Sequence, residues 1–170
     1  MATFEARVEG LTGLDIGSSG TTPTQAELTE FLKDGVIEVT NIHLGIKPQD
    51  AYMFVRESAE ATGNTLTADS AKIVSVVRES GTNDDWRDAR LIKTGAQSRV
   101  TDSTSLEYAS KYNPVYMVTD DGLVSVFPAP DTGGADSYKI YYVNGEPKDK
   151  TNDASLTYAH SDIQYFPEDK

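Results

Sequence analysis

Residues 14–22, LDIGSSGTT, have the types and spacing that could cradle a phosphate. A D-x-G run of small residues lets successive backbone N–H groups turn toward oxygen, with Asp15 near a magnesium ion. The context argues otherwise. No apolar strand precedes the run, a capped helix follows it directly, and a chain of 170 residues is too short for a two-lobed kinase. An isolated glycine motif specifies little, so Asp15 to Thr22 reads as a flexible linker of small polar residues.

The other chemistry-bearing residues each have a structural reading beside the functional one. Asp120-Asp121-Gly122 could start a calcium corner, but such a site needs about six or more oxygen ligands and no bidentate glutamate stands at loop spacing. The same three residues are good hairpin-turn chemistry. Asn83 to Asp88 gathers acids around Trp86, the single tryptophan. That ring could stack on a sugar, or it could lie over a sheet edge with solvated acids beside it. His43 and His160 are the only histidines, and neither has a second ligand at metal spacing. No nucleophile elbow is present. The expectation is a protein that is not an enzyme and takes no metal and no cofactor.

The elements that would position these residues are readable from periodicity. Phe4, Val8 and Leu11 predict a short helix or turn stopped by Gly10 and Gly13. Thr22 can cap the next helix, with Pro23 at its first position and Gln25 as the capping-box partner. Leu28, Phe31, Leu32, Gly35, Val36, Val39 and Ile42 then keep three-and-four spacing, predicting one buried face on a helix from Pro23 to about His43. Gly35 inside that face implies close approach of another element.

Extended structure follows. Residues 51–58 and 72–80 are β-branched and aromatic, both end in VRES, and predict a strand pair across a polar loop. Arg90 to Lys93 predicts a third strand, and Thr101 to Lys111 one or two helical turns capped by Ser103. Val115 to Thr119, Leu123 to Phe127 and Tyr138 to Val143 predict a three-strand meander, with Pro128 and Pro130 ending its second strand. In the last strand Tyr138, Ile140 and Tyr142 share one face, and Lys139, Tyr141 and Val143 the other. Both faces carry apolar mass, for a sandwich core or a neighbouring subunit. At the end, Pro167, Glu168 and Asp169 form a helix-start signal, and the expectation is that the natural chain continues or is cut here.

Composition bounds the class. Apolar residues make up 38% and charged residues 25%, a globular mixture. No apolar run approaches the ~18 residues of a membrane span, no secretory signal is visible at residues 1–10, and there is no cysteine for a disulfide framework. A net charge of −12 opposes sequence-independent nucleic-acid binding. The acidity either keeps the protein soluble or faces DNA so that the duplex slides. The cations Lys72, Arg78, Arg87, Arg90, Lys93 and Arg99 form no continuous stripe in sequence.

Several runs carry a resemblance: MATFEARVEGLTGL, TPTQAELTEFLKDGVIEV, QSRVTDSTSLEYASKYNPVYMVTDDGLVSVFPAP, YKIYYVNGEP and HSDIQYFPED. Over nearly its whole length the chain resembles virion structural proteins of T4-like phages of marine bacteria, cyanophages among them. In that group the segment matching Tyr165 to Asp169 leads into a further helical part. The order of helix, β-domain and helix is also similar to head–tail adaptor proteins, which form rings beneath the portal.

The expected protein is therefore an α+β domain: residues 1–22 an arm and linker, 23–45 an amphipathic helix, 46–160 an antiparallel sandwich or open barrel, and 161–170 the start of a C-terminal helix. The resemblance implies a virion location and a neck or head–tail connector subunit. Its partners would be copies of itself in a ring and portal, neck or tail proteins, with no membrane and no sequence-specific nucleic acid. Leu28, Phe31, Leu32, Val36, Val39, Pro130, Asp131, Tyr141, Tyr165 and Phe166 are the expected interface residues. The alternatives are a tail-tube end, baseplate or fibre-attachment protein, or a glycan-binding sandwich using Trp86.

Overall fold

The computed structural model describes residues 2–20, 22–68, 71–81, 85–131 and 136–167. The chain divides into two compact units, Met1–Phe54 with Gly145–Lys170, and Val55–Asn144. The fold class is α+β: the helices of the first unit, and in the second mainly antiparallel sheets that form no closed barrel among the described residues.

The first unit holds α1 (Phe4–Thr12) and α2 (Gln25–Ile46), followed by a 3-10 turn over Pro48–Met53. A helix leaves its first N–H groups without internal partners, and α1 satisfies them in two ways. Phe4 and Glu5 donate to the carbonyls of His160 (2.8 Å) and Tyr158 (3.1 Å), while Ala6 donates to the Thr3 hydroxyl at 3.2 Å. Gly10 does not stop α1. It ends at Gly13, whose φ of 70° supplies the left-handed cap.

Within the segment expected to be a linker, Ile16 is held against α1 while residues 18–20 are exposed. Ile16 is buried and its N–H donates to the Glu9 carboxylate at 3.0 Å. The cap of α2 also differs from expectation by two residues. Thr24, not Thr22, is the N-cap, and Glu27, not Gln25, closes the capping box. Both threonines can cap, but only Thr24 has a carboxylate three residues on, which binds its N–H at 2.8 Å. Those bonds from Thr24 hold the Glu27 carboxyl below its ordinary range. Beyond α2, residues 51–53 are helical and only Val55–Glu57 is extended, so the expected strand over 51–58 is mostly absent.

The second unit is built from β1 (Val55–Glu57), β2 (Lys72–Glu79), β3 (Trp86–Asp88), β4 (Arg90–Leu91), a five-residue helix α3 (Gln97–Thr101), β5 (Val115–Val118), β6 (Val124–Phe127) and β7 (Tyr138–Val143). One sheet has the order β1-β7-β2-β3 and the other β4-β5-β6. The β5–β6 hairpin forms as its residues predict, turning at Gly122 with φ 78°. Asp121 accepts from the Thr119 hydroxyl and the Leu123 N–H, which holds its carboxyl low.

Two pairings differ from expectation. The third strand of the meander leaves it: β7 joins the other sheet, between β1 and β2. The expected pairing of residues 51–58 with 72–80 is therefore interrupted by β7. The helical turns expected over 101–111 are also displaced; α3 ends at Thr101, and Asp102 instead accepts from the Thr104 N–H and hydroxyl. This turn competes locally with helix.

The core of this unit lies between the sheets. Val76, Tyr138 and Ile140 of one meet Tyr116, Val124 and Val126 of the other, all at or below 8% exposure. A buried Arg78 is fixed by the carbonyls of Pro128 (2.8 Å) and Glu79 (2.5 Å) and by Asp136 (2.5 Å), tying β2 to the segment between β6 and β7.

Candidate functional site

The apolar residues of α2 divide between two adjoining faces. Leu28 and Leu44 are buried, and Leu32 and Val36 half-buried, along one line. Phe31 (63% exposed), Val39 (49%), Ile42 (54%) and Ile46 (73%) lie on the next. Their positions, with Gly35, advance by four, four, three and four residues, so they form one continuous stripe. At 1.5 Å per residue it runs along most of a ~33 Å helix of 22 residues. Gly35 meets nothing: a Cβ placed there has no neighbour within 4 Å. The close approach expected at Gly35 is not made among the described residues.

The expected interface residues thus separate. Phe31 and Val39 stand on the exposed stripe, whereas Leu28, Leu32 and Val36 face inward. Sequence periodicity missed Ile46, because Gly45 and Pro48 read as stop signals while the helix continues to Ile46. Tyr165 is 47% exposed with φ 51°, and Phe166 packs edge-on against Phe54 at 6.0 Å. In the second unit Pro130 is buried, Asp131 exposed and Tyr141 half-buried. The helix-start signal at Pro167 to Asp169 lies largely outside the described residues.

The other candidates resolve into structural contacts. Trp86 carries the Lys139 ammonium 4.6 Å from its ring centroid, on a face a sugar would use. Lys139 also meets Glu57 at 2.9 Å and Glu60 at 3.2 Å. The hydrogen bonds its ammonium donates to these two carboxylates, Glu57 first, push its pKa up to about 12. Asp85 pairs with Arg87 at 2.8 Å, and that bond lowers its pKa.

His43 Nε2 lies 3.0 Å from Asp50 Oδ2, with its ring tilted on Phe54. His160 Nδ1 accepts from the Thr157 N–H at 3.0 Å. Among the described residues no group of three or more His, Cys, Asp or Glu side chains is placed to hold a metal ion. Among the described residues no helix is long and apolar enough to cross a membrane.

The chain matches no protein-family model and no curated protein.

Proposed function

We propose that this chain is a structural subunit of a phage virion, working by shape and contact without covalent chemistry. Its place is the neck, as a head–tail connector subunit that assembles with copies of itself into a ring and meets portal and tail proteins. The observation that carries this reading is the exposed stripe of Phe31, Val39, Ile42 and Ile46. Contiguous apolar surface of that kind marks an interaction site. Each of these side chains stabilises an interface by about 1.5–3 kcal/mol when fully buried. A stripe on one helix that meets a different surface on the next copy is a head-to-tail contact, which closes into a ring when the rotation between copies divides a full turn.

The runs that resemble virion structural proteins, TPTQAELTEFLKDGVIEV among them, favour that location. In the ring, Phe31 and Val39 contact the neighbour, while Leu28, Leu32 and Val36 hold the subunit's own core. Asp131 and Tyr165, both exposed, face the proteins above or below. The test is the position of the chain in a particle map. Density for it in a ring between portal and tail is the expected result; density at the baseplate, the tail-tube end or a fibre overturns the connector assignment.

A further inference from the structure

Arg90, Lys93 and Arg99, scattered in sequence terms, meet around one cleft of about 520 Å³ in the β-unit. Its floor is apolar, with Ile92, Val100 and Val115. Two of the cations have side-chain partners: Arg90 donates to Asn113 at 3.2 Å and Arg99 to Glu107 at 3.3 Å. Lys93 has none among the described residues, so its ammonium is solvated and ready to exchange water for an anion. In a chain of net charge −12 such a local excess of cation is distinctive.

Beside the cleft runs an open sheet edge. β4 pairs on one side only, in parallel with β5, as the terminal strand of its sheet. Arg90 and Ile92 point their N–H groups inward, to the carbonyls of Pro114 (3.1 Å) and Tyr116 (2.8 Å). Strand alternation then turns the N–H and C=O of Leu91 outward, and Leu91 itself is 66% exposed. Edge strands of this kind are templates for a further strand, and backbone pairing with alternate side-chain pockets is a known mode of peptide recognition.

We propose that the β4 edge and the adjoining Arg90–Lys93–Arg99 cleft bind an extended acidic segment of a partner protein as an added strand. The Leu91 N–H and C=O pair with its backbone, alternate carboxylates meet Lys93 and the two arginines, and an apolar side chain between them covers the half-buried Ile92. Charge complementarity selects this occupant. A peptide is favoured over nucleic acid because only a peptide backbone can extend the open β4 edge through the Leu91 N–H and C=O. None of the cleft's residues belongs to the α2 stripe.

The test uses the full chain and two labelled heptapeptides of alternating threonine, with Glu, Val and Glu at the second, fourth and sixth positions, or with Lys, Val and Lys. Fluorescence polarisation gives a Kd below about 1 mM for the acidic peptide. The lysine peptide binds at least tenfold more weakly, and Lys93→Glu weakens the acidic peptide at least tenfold. In amide NMR the acidic peptide shifts the Leu91 N–H downfield as it gains an acceptor. No binding of the acidic peptide, indifference to Lys93→Glu, an unmoved Leu91 amide, or tighter binding of a single-stranded oligonucleotide each overturns the proposal.

Discussion

The phenolic oxygen of Tyr138 accepts the backbone N–H of Leu66 at 2.9 Å, across 72 positions of sequence. It also accepts from Thr65 at 3.1 Å and donates to the Val124 carbonyl at 3.3 Å. One buried hydroxyl therefore joins β7, the loop before β2 and strand β6, across both sheets. Burial raises its pKa, so it stays a neutral donor throughout the physiological range.

Tyr138→Phe removes that hydroxyl without changing the ring and leaves two N–H groups short of an acceptor. The expected loss is about 1–3 kcal/mol, read as a lower urea midpoint at unchanged m. A midpoint equal to wild type would show that the latch contributes nothing.

Arg78 is the second long-range tie of the β-unit, and breaking its pair with Asp136 is the costlier change. Arg78→Met is expected to destabilise by about 3 kcal/mol, since one partner of a buried pair is left behind. Arg78→Lys recovers little, because an ammonium cannot serve three acceptors held in a guanidinium fork. Urea melts of the two variants check this; full recovery by lysine contradicts it.

Lys139 gives the pH dependence. Its folded pKa of about 12 stands above the ordinary 10.5. The stabilisation from Glu57 and Glu60 is thus fully present below about pH 10.5 and is lost as pH rises toward 12. Tyrosines titrate nearby, so the readout is a difference. The Glu57→Gln/Glu60→Gln variant loses less of its thermal midpoint than wild type between pH 10 and 12. Equal losses would remove Lys139 from the account.

Gly35 lies in the interior of α2 with open space where a Cβ would be. Gly35→Ala therefore raises helix stability by about 1 kcal/mol. Measuring the urea midpoint in a Phe31→Asp background separates propensity from assembly. A fall in the midpoint would mean that Gly35 already packs against something within the subunit.

Local signals were legible and long-range ones were not. The Asp120-Asp121-Gly122 turn specifies its hairpin within a few residues, and the 3.6-residue period of α2 is unmistakable. The cap was misplaced because TPT offers two threonines, and only the Glu27 carboxylate distinguishes them. The position of β7 depends on partners 80 or more residues away in β1, which no periodicity encodes. Its two apolar faces speak only of what packs above and below the sheet, not of which strands pair with its edges. On α2, spacing identified the apolar arc but not where burial stops, so Phe31 and Val39 were grouped with Leu28 and Val36. The cationic cleft was hidden because a turn of chain and α3 fold Arg99 back toward Arg90 and Lys93.

The most direct measurement is the light-scattering mass of the purified chain beside that of a Phe31→Asp/Ile42→Asp variant. The helical stripe as a subunit contact predicts a discrete multiple of 18.5 kDa for wild type and 18.5 kDa for the variant, with matching circular dichroism. A wild-type monomer at every concentration, or a variant that keeps the assembled mass, contradicts it.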